Sequence, residues 1–199
     1  MASKSNNGTY QGIDYESQEE LFILWYFFEL KEAGIVKSIE RGESFNLSDE
    51  RSEKYYETKQ LKTKTKKIEK KVTLLREHVY TPDLKVTWNK DIYSKFITGG
   101  ITFTKYIPFY YTTCEFGNPV TYVEIKPDFN LSNNMERIFI INQKWTYNKF
   151  KVYVNLVKPK ELFEKTFTPE LYTKTATGKE KKQTFTFRSL NQFLNDNTN

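Results

Sequence analysis

The 199 residues are 38% hydrophobic and 17% aromatic, enough for one domain with a real core. The formal net charge is +6, and residues 59–71 (KQLKTKTKKIEKK) hold seven Lys and one Glu, so the excess sits in one stretch. That focus favours a polyanionic partner over general stickiness, against the alternative of a solvated hairpin that only keeps the chain in solution.

Residues 1–10 are polar and read as a flexible terminus. Ser17 with Glu20 three residues on forms a capping box, so a helix is expected from about 18. It runs through LFILWYFFELKEAG and stops at Ala33-Gly34. Leu21, Leu24, Trp25, Phe28 and Leu30 give its expected core face, although apolar residues lie nearly all round it. Residues 35–40 and 44–47 read as short strands and 48–58 as charged loop. Residues 59–75 read as an exposed ribbon strand. Residues 78–88 read as one strand with a bulge or edge at Pro82. An aromatic insertion follows at 93–118, with a turn at Gly99-Gly100. Residues 119–126 are the expected central strand, 135–149 a helix and 150–157 a strand. Residues 160–183 mix a short helix with a polar loop, and 189–194 form a terminal helix capped by serine. The order implies an α/β fold, a mixed sheet with helices on its faces.

Cys114 is the only cysteine, so an intrachain disulfide is excluded, and it reads as a packing or partly exposed thiol. His78 is the only histidine, which excludes a histidine-based zinc cluster. No apolar run approaches the ~20 residues of a membrane span and no signal segment is visible, so a soluble intracellular protein without a membrane partner is expected.

The polar residues that conflict with the local pattern are the informative ones. Glu124 and Lys126 alternate with Ile125 on the expected central strand, so both side chains face one way. Asp83 follows Pro82 near the end of another strand, and Glu20 lies on the first helix. Two carboxylates and a lysine on neighbouring strands suit magnesium-assisted hydrolysis of a phosphodiester. Asp83 and Glu124 are the candidate ligands, with the Ile125 carbonyl as a third and Glu20 acting through water or a second metal. Lys126 would orient the attacking water or stabilise developing charge. Gln143 and Lys144, on the following helix, could reach the substrate phosphate or the water. Singly, each residue has a plain structural reading: Glu20 as a cap, Asp83 as a turn residue, Glu124 and Lys126 as a surface pair. Jointly they favour a site.

Pro82-Asp83 and Glu124-Ile125-Lys126 together resemble the signature of the PD-(D/E)xK nuclease superfamily. The stretch YESQEELFILWYFFELKEAGIVKSIER is similar to the first helix of its small phage-associated and Holliday-junction-resolvase-like members. NQKWTYNKFKVYVNLV resembles their last helix and strand. The resemblance implies a restriction-endonuclease-like α-β-β-β-α-β core over residues 11–158, carrying the β-rich insertion 93–118, with 159–199 as a C-terminal appendage. It implies a DNA endonuclease dependent on Mg2+, for which Mn2+ can substitute, acting in the cytoplasm of a bacterial host if phage-encoded. Lys62, Lys64, Lys66, Lys67, Lys70, Lys71 and Lys144 would bind the DNA backbone, and Tyr106, Phe109, Tyr110 and Tyr111 could stack on bases, against the alternative that at least half of them pack a small core of the insertion itself. A homodimer is expected where two cuts are made, and the appendage offers a surface for a protein partner. The competing expectations are a catalytically inactive nucleic-acid-binding or assembly protein on the same fold, and a nuclease directed at RNA.

Overall fold

The computed structural model describes residues 7–90, 96–98, 109–110, 113–115, 117–127, 133–175, 178–182 and 185–196, with Thr98, Tyr110, Thr113, Cys114, Asn133 and Asn134 described by backbone alone. In chain order the elements are β1 (Gly8–Tyr10), β2 (Ile13–Tyr15), α1 (Gln18–Glu32), β3 (Val36–Arg41), β4 (Phe45–Ser48), β5 (Arg51–Gln60), β6 (Thr65–Leu75), β7 (His78–Tyr80) and β8 (Leu84–Trp88). Then come β9 (Ile97–Thr98), β10 (Phe109–Tyr110), β11 (Thr113–Glu115), β12 (Asn118–Ile125), α2 (Asn133–Phe150), β13 (Val154–Val157), α3 (Pro159–Lys165), α4 (Glu170–Thr173) and α5 (Leu190–Asp196). The chain divides into two compact units, Ser44–Thr81 and the remainder on either side of it.

α1 begins where the capping box places it. Ser17, in an extended conformation, accepts the Glu20 N–H on its side chain. The helix ends at Ala33, and Gly34 takes a φ of +73°, a conformation that glycine adopts without steric cost.

β3, β8 and β12 form an antiparallel meander with β8 in the middle. On its other edge, β12 pairs antiparallel with β11 at its start and parallel with β13 at its end. A parallel neighbour needs a crossover, and α2 supplies it between β12 and β13. The main unit is therefore a mixed sheet flanked by helices, with the element order α1, β3, β8, β12, α2, β13.

Strand alternation decides what each face does. Leu84, Val86 and Trp88 of β8, with Val123 and Ile125 of β12, enter the main core against Ile23, Leu24, Phe27 and Leu30 of α1. Tyr26 and Phe27 are fully buried, whereas Trp25 and Phe28 are only partly so, and the core face is turned from the expected one. Neighbours cover α1 on several sides, so its nearly uniform apolar surface carries no phase.

The segment expected as an appendage completes this core. Leu162, Phe163, Phe167, Leu190 and Phe193 are buried in it, and Tyr26 stacks on Phe167 at 4.4 Å between ring centroids. Buried Tyr26 also hydrogen-bonds the Thr166 hydroxyl at 3.0 Å. Each such ring is worth roughly 1.5–3 kcal/mol of burial, too much for a detachable tail. Phe96 and Phe109, within the expected insertion, are likewise fully buried and pack on Trp88. Phe109 is thus a core residue and not a base-stacking one. The side chains of Tyr106, Tyr110, Tyr111 and Cys114 lie outside the described residues.

In the second unit, β4 pairs with β7 and β5 with β6. Residues 51–58, expected as part of a loop, belong to strand β5. β5 and β6 are exposed along nearly their whole length, so no buried face imposes a readable alternation. The stretch 78–88 splits into β7 and β8, which pair with different partners, because Pro82 lacks the N–H that a continuous ladder would need. No described helix is long and apolar enough to cross a membrane.

Candidate active site

The sheet register builds the site. Val123 lies opposite Leu84, which carries Asp83, one residue before β8, level with Glu124. The Asp83 Oδ2 accepts the Ile125 N–H at 2.6 Å and so ties the two strand ends together. Val123 and Ile125 point into the main core, so Glu124 between them points to the face that carries α2. Lys126 follows on that face, and its Nζ donates to Glu124 Oε1 at 2.6 Å. Glu124 is buried, an expensive place for a carboxylate unless it has partners.

The electrostatics mark a shared site. Burial pushes the Asp83 carboxyl up to about 7, and the Glu124 charge adds to the rise. The Ile125 N–H opposes it, Glu20 raises it further and Lys126 lowers it. Residues singled out in three distant stretches of sequence thus converge on Asp83.

Glu20 is held firmly. Its Oε1 accepts from the Ser17 hydroxyl at 3.0 Å, and its Oε2 accepts from the Glu16 N–H at 3.2 Å and from Arg41 Nη1 at 3.0 Å. It is therefore both the helix cap and half of an ion pair. Arg41, at the end of β3, was not anticipated, since nothing local links it to a glutamate 21 residues earlier. Gly42 was also missed. A Cβ there would lie 2.0 Å from the Pro82 carbonyl oxygen, and the Gly42 N–H donates to the Asp83 carbonyl at 3.2 Å. Only glycine lets the chain pass this close to the backbone that presents Asp83.

A cleft of about 150 Å³ opens on Glu124 and Lys126 and is closed by Met135, Ile138, Phe139 and Asn142 of α2. The polar residue that α2 offers there is Asn142. Its Oδ1 is shut from solvent and has no hydrogen-bond partner, which costs ~1–3 kcal/mol while it stays so. Gln143 is turned ~100° further round the helix. Its Nε2 donates to the Val154 carbonyl at 2.6 Å, and with Lys144 it lines a different groove, of about 550 Å³, beside Tyr147 and Tyr153. The structure thus brings Asp83, Glu124 and Lys126 together, with Glu20 acting on Asp83, and places Gln143 and Lys144 elsewhere.

The donor set around Asp83 and Glu124 is oxygen only, which suits a hard divalent cation. Among the described residues no three Asp, Glu, His or Cys side chains form a ready-made metal cluster. With Glu20 engaged by Arg41, further ligands would have to come from backbone, such as the Ile125 carbonyl, or from water.

In the second unit the lysines line the β5–β6 ribbon and its turn. Lys54 stands opposite Lys71, and Lys59 opposite Lys66, and like charges directly across a ladder repel. Lys70 pairs with Glu57 and Lys71 with Glu50. Lys62, Lys64, Lys66 and Lys67 are exposed and have no acidic partner among the described residues.

No family model matches this chain, and neither the curated proteins nor the solved structures yield a match.

Proposed function

We propose that the protein is a metal-dependent endonuclease that hydrolyses DNA phosphodiester bonds, with a restriction-endonuclease-like core of the PD-(D/E)xK type. The observation that carries this reading is the meeting of Asp83, Glu124 and Lys126 at the ends of two adjacent strands. The order α1, β3, β8, β12, α2, β13, with the last strand parallel to β12, supports it. Magnesium, or manganese in its place, would neutralise phosphate charge and make the attacking water more acidic. Asp83, Glu124 and the Ile125 carbonyl would hold it, with Glu20 one water removed. Lys126 places a positive charge beside Glu124, where it can orient water and stabilise charge on the phosphate. The lysines of the β5–β6 ribbon without an acidic partner among the described residues suit the DNA backbone, and no base-reading element is evident among the described residues, so selection by DNA structure is favoured.

The test is nicking of supercoiled plasmid by wild type and Glu124→Ala. Cutting should require Mg2+ or Mn2+ and vanish in the folded variant. A second reading, a DNA-binding protein on the same fold that does not cut, draws on the engagement of Glu20 by Arg41. Binding without cutting in any metal would favour it.

A further inference from the structure

We propose that Asn142 is a catalytic residue of this site, its amide oxygen accepting a hydrogen bond from the water that attacks the phosphate. This rests on the nuclease reading above. Asn142 lies on the inward face of α2 with Phe139 and Thr146, where an apolar residue would pack without penalty. Thr146, fully buried, is satisfied by donating from its hydroxyl to the Asn142 backbone carbonyl at 2.8 Å. The Asn142 side chain has no such solution, and its Oδ1 is shut from solvent without a partner. A buried acceptor left open in an otherwise well-paired helix face calls for a donor from outside the chain.

The location says which donor. Asn142 lines the same cleft as Glu124 and Lys126, and about 150 Å³ admits a small number of waters. A water there meets a cation at Lys126, which can only donate to it, and a turn of the Asn142 side chain, whose Oδ1 is shut from solvent in this structure, brings to it an acceptor that can hold one of its protons and so aim its lone pair. In the hydrolytic step this water gives its other proton to a site carboxylate, and its oxygen forms the new P–O bond. One ester P–O bond breaks, and solvent protonates the departing oxygen. Gln143 cannot substitute, since its amide is committed to Val154 on the other flank of the helix.

The experiment compares wild type, Asn142→Leu and Asn142→Gln. Three quantities are read: melting temperature without metal, DNA affinity in calcium, and single-turnover cleavage in magnesium. Leucine removes the unpaired amide at similar volume, so its melting temperature should rise by roughly 2–5 °C. Affinity should stay within about twofold, while cleavage should fall about 100-fold. Glutamine should recover cleavage to within about tenfold of wild type by keeping an amide in the cleft. Wild-type cleavage by Asn142→Leu would overturn this inference and leave the nuclease reading intact. A lower melting temperature in Asn142→Leu, restored by glutamine without recovery of rate, would show a structural residue. A wild type that cuts nothing in any metal would remove the nuclease reading and this role with it.

Discussion

Replacing Asp83 with asparagine should make the metal-free protein more stable at pH 8 while abolishing cleavage. Burial and the neighbouring carboxylates raise the Asp83 carboxyl from 3.8 to about 7. At roughly 1.4 kcal/mol per pH unit this is a ceiling of about 4 kcal/mol. Asp83 is only half-buried, and water access and relaxation should reduce the effect to about 1–2 kcal/mol. The sign follows from proton counting. Between about pH 4 and 7 the folded state keeps a proton that the unfolded state has lost, so stability falls as pH rises through that window. Above it, both states are ionised and the penalty is constant. Asparagine can still accept the Ile125 N–H but carries no charge. Urea unfolding of wild type and Asp83→Asn in chelator, from pH 4 to pH 9, gives the measurement. The two stabilities should diverge progressively up to about pH 7, with the variant higher at alkaline pH. Parallel curves, or a less stable variant at pH 8, would refute the reasoning that burial and the neighbouring carboxylates raise the Asp83 carboxyl.

Three further perturbations probe the support of the site. Gly42→Ala sets a methyl group 2.0 Å from the Pro82 carbonyl oxygen and should cost about 2–4 kcal/mol in chemical denaturation. Phe163→Ala should cost about 3–5 kcal/mol in the same assay, because the C-terminal segment belongs to the main core. Changing Lys62, Lys64, Lys66 and Lys67 together to Gln should weaken DNA binding more at 50 mM than at 200 mM salt. The slope of log affinity against log salt should become shallower by up to about 3–4. An unchanged slope would mean that the ribbon makes no backbone contacts.

What the sequence made legible followed from short-range signals. Ser17, Glu20 and Gly34 fix α1 within a residue or so of its observed ends, because caps are local chemistry. Glu124 and Lys126 stood out because a buried strand has no ordinary use for them. Less legible were features that depend on tertiary phase. Tyr26 and Phe27 are fully buried while Trp25 and Phe28 are not, and a helix apolar on every side gives no periodicity from which to tell them apart. Asn142 and Gln143 are adjacent amides, and only the seating of α2 on the sheet reveals which one enters the cleft. Arg41 and Gly42 act on Glu20 and on the backbone at Pro82 and Asp83 across long separations, beyond what any local pattern records. β5 escaped notice because a ribbon exposed on both faces needs no alternation.

The measurement that tests the account most directly compares wild type, Glu124→Ala and Lys126→Ala. Each is incubated with supercoiled, linear, single-stranded and four-way-junction DNA in magnesium, manganese or chelator. The account predicts metal-dependent cutting by wild type of at least one of these substrates, and none by either variant while both remain folded. Undiminished cutting by a clean, folded Glu124→Ala preparation would contradict it, as would a folded wild type that binds DNA but cuts none of these substrates in either metal.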